Sequence, residues 1–519
     1  MGATGIMKTL AIDFGNTNTV LAIWQEEAAR ALKLPDFCVP NTLQIPSLIH
    51  FDSGSTRIGN EAAAAPFAAS NQTFRWMKRY ISLKSPYRIQ IGQQKIDARE
   101  AAEIFLRTLV QQAESVSGSE FDELVFTVPV ESFDHFRDWL IQSFSGEGQP
   151  SIRILDEVTA AAAGYGMKFQ TGDAALYFDF GGSTMQAAVV KLETEPENRF
   201  HVLGKAGLAV GGVTLDRWIM EDVLRRNQLD FSDRLVQTDG RVILDACEQI
   251  KVDLSTQTET DRSITLTNNQ KLNLQYSKEE LESIFSQNKL AGSIRAVVQD
   301  ALRQAFDRGI FPSEIRAVIP TGGGSMIPAV QTALEQECTA ALMLAGDPLT
   351  AVAVGAAAFS HGFGIIDFIR HQYAVRVRDP KGGYRFQPII EPGTRYPTQN
   401  AIKSLKLKAS RSGQTLFGLA IYEISAAPSH HEDAYEVLFD ENGAVRLMPR
   451  SPQESFSENH FWMNEGAPLF LEAVPAAEKG LPRFQLDFGI NEHKMLWLTA
   501  NDILTGKVIF ERFPVVRLD

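Results

Sequence analysis

Cysteine and long apolar runs are scarce in this sequence of 519 residues. The three cysteines, Cys38, Cys247 and Cys338, lie far apart and form no C-x-x-C pair, so neither a disulfide framework nor a cysteine zinc site can be built from them. No segment approaches the roughly 18 consecutive apolar residues that a membrane-spanning helix requires, and the first residues lack the apolar core of a signal peptide. We therefore expect a cytoplasmic chain that is neither secreted nor membrane-spanning.

Positive charge is also in deficit. The 50 lysines and arginines are outnumbered by 63 aspartates and glutamates, which gives a formal net charge of −13. Phosphodiester backbones and anionic lipid surfaces attract clustered lysine and arginine, so we expect neither nucleic acid nor a membrane among the partners. The composition is that of an ordinary folded protein, and the length suggests about two to four domains.

Three common catalytic signatures are missing as well. The sequence contains no G-x-x-x-x-G-K-[ST], no G-x-S-x-G and no H-E-x-x-H. Their absence argues against a P-loop enzyme, an α/β-hydrolase and a zinc protease of the H-E-x-x-H type.

What the sequence does contain is a repeated turn. Residues 9–24 read as two apolar strands joined by a polar turn that begins Asp-Phe-Gly, and residues 174–192 repeat this pattern. The two aspartates, Asp13 and Asp179, are separated by 166 residues, which is longer than any solenoid repeat. The spacing predicts a duplicated unit and hence two related lobes.

The remaining patterns divide the chain into two parts. Helical periodicity occupies residues 98–115, 133–143, 215–228, 242–254 and 291–308, interleaved with strand patterns at 124–128 and 152–155. The first 360 or so residues are therefore predicted to be α/β. After about residue 371 come short alternating runs broken by Gly, Pro and Asn, which indicate an all-β domain.

Three glycine-rich turns could bind phosphate. Backbone N–H groups reach a phosphate where no Cβ intervenes, and glycine turns after strands supply such groups. Gly15, the pair Gly181–Gly182 and the run Gly322–Gly324 each meet this need. One such turn is weak evidence because hairpins use glycine anyway, but three together predict a nucleotide clamp. Asp13 and Asp179 would then face each other across a cleft and hold Mg²⁺ through water.

Several motifs then carry a resemblance to a known family. They read IDFGNTNT at 12–19, EVTAAAAGYG at 157–166, FDFGGST at 178–184, GGSMIP at 323–328 and DPLTAVAVGAA at 347–357. In this order and spacing the chain resembles the heat-shock protein 70 chaperones of the actin-like ATPase superfamily. The resemblance implies a two-lobed, actin-like (duplicated RNase H-like) ATPase domain at 1–363, a linker at 364–372 and an all-β sandwich at 373–519.

The resemblance also implies roles for individual residues. Asp13 and Asp179 would position the waters of Mg²⁺, Glu157 would orient the attacking water, and Lys78, within FRWMKR at 74–79, would stabilise charge on the γ-phosphate. Asp216 would be an acid beside the phosphates. The residues expected to bind ATP or ADP are Gly15, Asn16, Thr17, Asn18, Gly181, Gly182, Ser183, Thr184, Gly211, Gly212, Glu248, Lys251, Ser255, Gly322, Gly323, Gly324, Ser325 and Met326.

Four positions depart from the family pattern. Asn16 replaces a threonine, Gln186 an aspartate, Met326 an arginine that packs on adenine, and Val252 a basic residue. These changes leave the phosphate clamp in place. The properties that these four changes would affect are ATP affinity, the rate of hydrolysis and the preference for adenine.

The C-terminal part resembles the family's substrate domain at its two ends, near 388–398 and 486–507. The sequence stops at Asp519, where typical members continue into a helical lid, so we expect a lidless β domain. The resemblance implies a chaperone in which slow Mg-dependent ATP hydrolysis, from ATP and water to ADP and phosphate, switches the binding of unfolded or extended polypeptide. Cochaperones would be further partners.

Two other functions fit the same fold. A small-molecule kinase of the actin-like superfamily would phosphorylate a substrate between the lobes, but this reading gives the C-terminal β domain no role. Alternatively, the β domain would recognise one dedicated protein partner, with the nucleotide domain as an ATP-regulated platform.

Overall fold

The chain forms two compact units in a computed structural model. The first comprises residues 1–364 together with 435–450, and the second comprises 365–434 together with 451–519. The structure describes residues 7–52, 54–64, 67–68, 70–129, 134–146, 148–166, 172–193, 199–338, 341–343, 346–360, 364–369, 371–379, 383–425, 435–439, 445–449, 459–465, 467–491 and 494–518.

All the helices described lie in the first unit. They are α1 Asn60–Ala63, α2 Met77–Ser82, α3 Ala98–Ser117, α4 Asp134–Ser143, α5 Glu157–Gly166, α6 Gly212–Arg226, α7 Arg234–Leu254, α8 Lys278–Gln287, α9 Leu290–Asp307, α10 Pro328–Glu337 and α11 Ala351–Phe359, with short 3-10 turns at Pro312–Glu314 and Gly323–Met326. None of these described helices is long and apolar enough to cross a bilayer.

Strands occur in both units. Those numbered up to β18 lie in the first unit: β1 Thr9–Phe14, β2 Asn18–Gln25, β3 Ala28–Ala31, β4 Ile45–Pro46, β5 Ile49–Asp52, β6 Ser55–Ile58, β7 Thr73–Phe74, β8 Arg88–Ile91, β9 Gln94–Asp97, β10 Glu123–Val128, β11 Ser151–Asp156, β12 Ala174–Phe180, β13 Met185–Glu193, β14 Arg199–Leu208, β15 Glu259–Thr265, β16 Lys271–Ser277, β17 Ile315–Thr321 and β18 Leu342–Met343. The later strands are β19 Gly364–Phe368, β20 Gln372–Arg378, β21 Tyr384–Ile390, β22 Arg395–Tyr396, β23 Lys403–Lys408, β24 Gln414–Leu419, β25 Ile421–Ser425, β26 Tyr435–Phe439, β27 Val445–Pro449, β28 Asn459–Trp462, β29 Leu469–Ala477, β30 Pro482–Ile490, β31 Met495–Asp502 and β32 Val508–Arg517, of which β26 and β27 form a hairpin in the first unit.

Two mixed sheets organise the first unit. One has the strand order β11-β10-β1-β2-β3, with β4 also paired to β2, and the other contains the order β18-β17-β12-β13-β14. In each sheet an Asp-Phe-Gly strand lies between its antiparallel hairpin partner and a parallel strand: β1 between β2 and β10, and β12 between β13 and β17. The two predicted hairpins are confirmed, and both aspartates lie near the end of the first strand of their hairpin.

A close crossing of two helices fixes the start of α5. The helices α5 and α11 are rich in alanine, and their small side chains allow the two backbones to approach. A Cβ on Gly355 would lie 1.7 Å from the carbonyl oxygen of Ala160, so no larger residue fits there. This packing holds Glu157, the first residue of α5, at the edge of the first sheet.

The predicted helices are present, with one extended start. The prediction for 98–115 corresponds to α3, whose capping box joins Asp97 and Glu100. α7 begins at Arg234 rather than at 242, because its first turns bury polar groups that apolar periodicity does not detect. Arg241 donates to the Tyr87 hydroxyl at 2.7 Å, and Asp239 accepts from the Thr267 hydroxyl at 2.8 Å.

The described part of the second unit consists of β-strands and turns, as predicted. Its main sheets have the orders β21-β20-β25-β28 and β23-β30-β31-β32, with the pair β24-β29 beside them. Residues 364–368 of the predicted linker form β19, which pairs with β22. Asp367 there is 1% exposed and accepts a hydrogen bond from the Tyr396 hydroxyl at 2.8 Å, while Arg370 lies outside the described residues.

Candidate functional site

Asp13 and Asp179 occupy corresponding places in the two sheets. Thr127, on the strand parallel to β1, donates from its hydroxyl to Asp13 Oδ1 at 2.7 Å. Thr321, on the strand parallel to β12, donates in the same way to Asp179 Oδ1 at 3.0 Å. Each carboxylate is therefore held by a threonine at the carboxyl end of a neighbouring strand.

The two carboxylates share a negative environment. Burial and the charge of Glu157 raise the pKa of Asp13 to about 6, although Lys78 and the hydrogen bond from Thr127 oppose the rise. Burial, Glu157 and Asp13 raise the pKa of Asp179 to about 8. Glu157 thus raises the pKa of both aspartates, Asp13 also raises that of Asp179, and the single nearby ammonium of Lys78 does not offset these effects.

A buried hydrogen-bonded set lies beside these acids. Lys78 Nζ donates to Glu157 Oε1 at 2.7 Å, and Gln186 Nε2 donates to Glu157 Oε2 at 2.6 Å. Lys78 and Glu157 are 8% and 7% exposed. A buried lysine paired with a buried glutamate supplies positive charge without an isolated buried ion.

The backbone before Lys78 is strained, and its helix is tied to the first turn. Trp76 adopts φ 55° and ψ 33° immediately before α2, a left-handed conformation that costs free energy in a bulky residue. The backbone N–H of Arg79 donates to Asn16 Oδ1 at 3.1 Å. The asparagine that departs from the family pattern thus attaches the helix of Lys78 to the turn after Asp13.

The first and second turns are adjacent. A Cβ on Gly182 would lie 2.6 Å from Thr17 Oγ1, so the turn after Asp179 touches the turn after Asp13. Asn16 Nδ2 and Ser183 Oγ are buried and have no hydrogen-bond partner among the described residues. Unpaired buried donors are costly, and these two belong to the turns predicted to grip phosphate.

The Gly211–Gly212 turn packs against the second hairpin. The N–H of Gly212 donates to the Gly181 oxygen at 3.0 Å, and the N–H of Val213 donates to the Gly182 oxygen at 2.8 Å. Asp216, one turn into α6, forms an ion pair with Lys251 at 2.7 Å. Burial nevertheless raises the pKa of Asp216 to about 7, because Lys251 only partly offsets it.

The third glycine loop touches the second hairpin from the other side. Gly322 has φ 76°, and a Cβ there would meet the Phe180 oxygen at 2.6 Å and Asp179 Oδ1 at 2.9 Å. Its N–H donates to the Pro348 oxygen at 2.8 Å. Only glycine satisfies both the angle and the contact, so this loop is held against Asp179.

Four further residues are expected to bind ATP or ADP: Glu248, Lys251, Ser255 and Met326. Met326 is 46% exposed. Lys251 is occupied by Asp216 and by the Gly212 oxygen, to which it donates at 3.1 Å. The Ser255 hydroxyl donates back into its own helix, to the Lys251 oxygen at 2.8 Å. Glu248 lies near enough for its charge to raise the pKa of Asp216.

Three residues of this site were not assigned a role from the sequence. Thr127 and Thr321 are buried polar residues at the carboxyl ends of mostly apolar strands, which is the signal that could have identified them. Gln186 was noted only as a departure, since nothing in the sequence indicates that it reaches Glu157.

A magnesium nucleotide fits this arrangement in one specific way. Among the described residues, no cluster of three or more His, Cys, Asp or Glu is arranged to chelate a metal directly. Two mutually repelling carboxylates with raised pKa values suit a hydrated cation held through water, since Mg²⁺ keeps several of its waters when protein carboxylates bind it. The unpartnered Asn16 and Ser183 donors suit phosphate oxygens.

A comparison with protein families agrees with these features. Residues 9–363 match the model of the family described as Hsp70 protein, and the match spans more than half of the chain.

Proposed function

The chain belongs to the Hsp70 protein family, and we propose that it hydrolyses ATP slowly and uses this reaction to switch polypeptide binding. Members of this family are ATP-binding chaperones that act on polypeptide substrates and bind ATP or ADP, usually with Mg²⁺. The proposal concerns which residues of this chain carry out these steps and how the two units divide the work.

The observation that supports the proposal most strongly is the pairing of the two aspartates. Asp13 and Asp179 come from separate sheets, yet the charge of one raises the pKa of the other. Both also sense Glu157 and Lys78. Such a concentration of interacting groups with perturbed pKa values, next to turns with unpaired donors, is characteristic of a functional site.

Each side chain has a defined task in the proposed reaction. Mg²⁺, when bound, neutralises phosphate charge and favours departure of ADP. Asp13 and Asp179 hold water molecules as hydrogen-bond acceptors. Lys78 supplies positive charge where negative charge grows on the γ-phosphate. Glu157 accepts a hydrogen bond from the attacking water through a lone pair that Lys78 and Gln186 leave open.

The domain assignment is part of the proposal. Residues 1–363 form a two-lobed actin-like ATPase, with β1–β2 and β12–β13 as its duplicated hairpins. Residues 364–372 connect it to a substrate-binding β-sandwich at 373–519, except that the hairpin β26–β27 belongs to the first unit. The protein acts in the cytoplasm on unfolded or extended polypeptide, together with cochaperones.

Measurement of ATP affinity and turnover, with and without an unfolded polypeptide, tests the proposal. We expect one ATP site, slow turnover, and turnover that changes when a reduced, unfolded model protein is added. Turnover stimulated instead by a small hydroxyl compound, with a phosphorylated product, would indicate a kinase. ATP binding with no response to any unfolded polypeptide would indicate a dedicated protein partner.

A further inference from the structure

Gln186 is fully buried and faces the proposed catalytic groups. It lies on β13 directly across from Asp179 and is 0% exposed. Its Nε2 atom is 2.6 Å from Glu157 Oε2, while Lys78 holds the other oxygen at 2.7 Å. The amide of Gln186 and the ammonium of Lys78 therefore donate to different oxygens of the same carboxylate.

The chemistry fixes which end of the amide faces Glu157. A carboxylate only accepts hydrogen bonds, so the amide nitrogen and not its oxygen must point at Oε2. A donor on each oxygen restricts rotation about the last torsion of the glutamate, which is otherwise broad. The remaining lone pairs then have a set direction.

The neutral charge of Gln186 matters as much as its donor. Asp179 lies directly across the hairpin from Gln186, and Glu157 Oε2 is 2.6 Å from its amide nitrogen. A further carboxylate at this position would add repulsion and would offer no donor to Glu157. Glutamine instead supplies the hydrogen bond without any charge.

We propose that Gln186 is a positioning residue that orients Glu157 for the attacking water. It acts through Glu157 and does not itself touch the nucleotide. This inference rests on the proposed function, because it requires that Glu157 take part in ATP hydrolysis.

A double-mutant cycle between Gln186→Met and Glu157→Gln tests the inference. Methionine keeps the length and removes the donor. In the wild-type background we expect Gln186→Met to lower single-turnover hydrolysis about tenfold and to leave ATP affinity within about twofold. In the Glu157→Gln background the same change should have little further effect, because the group it positions is already gone.

Two further variants separate positioning from general stability. Gln186→Glu keeps the length but replaces the donor with an acid, so hydrolysis should fall at least as far as with Gln186→Met. Thr9→Val is the matched control: Thr9 makes a buried hydrogen bond to Glu123 at 3.3 Å at the opposite end of β1, and its loss should lower thermal stability but leave hydrolysis unchanged.

The outcomes distinguish this inference from the proposed function. An equal fall from Gln186→Met in both backgrounds would mean that Gln186 does not act through Glu157, and unchanged hydrolysis in the wild-type background would remove its role altogether. Wild-type protein that binds ATP but shows no turnover would overturn both the Gln186 inference and the proposed hydrolysis, and would leave only ATP binding intact. Failure of the wild type to bind ATP at all would overturn the proposed function itself.

Discussion

The two Asp-Phe-Gly hairpins share a framework but differ at one position. Asp13 and Asp179 are each the penultimate residue of a central strand, and each accepts a hydrogen bond from a threonine hydroxyl of the parallel neighbour. Directly across the hairpin, however, Asp13 is paired with Val20 and Asp179 with Gln186. The first hairpin is apolar at this position, whereas the second carries a polar group that reaches Glu157.

This difference shows how one motif acquires two environments. The pKa of Asp13 is about 6 and that of Asp179 about 8. Burial is the largest cause of both raised pKa values. Two carboxylates, Glu157 and Asp13, further raise the pKa of Asp179, whereas Glu157 alone does so for Asp13. Lys78 and a threonine hydrogen bond lower both pKa values. The common framework places the acids, and their neighbours determine how readily each ionises.

Removing either aspartate should have the largest effect. If the two hairpins act jointly, Asp13→Asn and Asp179→Asn should each lower Mg·ATP turnover at least tenfold, on the order of what one group that stabilises transition-state charge contributes. A steady-state phosphate-release assay measures this. Asp239→Asn is a matched control, since Asp239 is also buried and also accepts a threonine hydroxyl. Normal turnover in both hairpin variants would disprove the joint role.

Lys78→Ala should come next, with about a tenfold fall in kcat and little change in ATP affinity. The reason is that demand for positive charge grows as the bond to the γ-phosphate breaks. Equilibrium binding and single-turnover kinetics on the same preparation separate the two quantities. Should affinity collapse while bound ATP turns over normally, Lys78 is only a binding residue.

The paired threonines offer a smaller and sharper comparison. Thr127→Val and Thr321→Val keep the shape of the side chain and remove one hydrogen bond to a carboxylate. Each should therefore raise the Mg²⁺ concentration needed for half-maximal turnover by roughly three- to tenfold. A Mg²⁺ titration of turnover measures this concentration. A strong effect from one threonine and none from the other would show that the hairpins do not contribute equally.

The smallest effect is expected for Asp216, whose helix α6 begins at the turn that packs against the second hairpin. Its pKa is raised from 3.8 to about 7, chiefly by burial. Between these values the folded protein retains a proton that the unfolded chain has lost, so the free energy of unfolding falls as the pH rises through this window. The penalty is absent below pH about 4 and complete above about 7. Asp216→Asn should remove at least about 1 kcal/mol of this fall.

Urea unfolding of the nucleotide-free protein across this pH range tests the last prediction. The wild type should lose stability more steeply with rising pH than Asp216→Asn, whatever the absolute cost of losing the ion pair with Lys251. Parallel pH profiles for the two proteins would contradict the raised pKa.

Local patterns made much of the fold predictable. The apolar strands flanking each Asp-Phe-Gly turn specify β1–β2 and β12–β13, and the capped amphipathic segment after Asp97 specifies α3. The start of α7 was not predictable in this way, because Arg241 and Asp239 are buried through bonds to residues distant in sequence.

The site was predictable only as far as its motifs. Asp13, Asp179 and Glu157 stand in recognisable segments. Thr127 and Gln186 are single residues whose partners lie 114 and 29 residues away in sequence. The pairing of β1 with β10 brings Thr127 to Asp13, and the packing of α5 against β13 brings Glu157 to Gln186. Similarly, Asn16 is a departure in sequence but in the structure holds the helix of Lys78.

A crystal structure with Mg²⁺ and a non-hydrolysable ATP analogue would show whether the two hairpins act on one nucleotide. We expect one nucleotide whose phosphates contact both hairpin turns, with a hydrated Mg²⁺ whose waters bond to Asp13 and to Asp179. A nucleotide that contacts one turn alone, or a metal held by one aspartate without the other, would contradict this expectation.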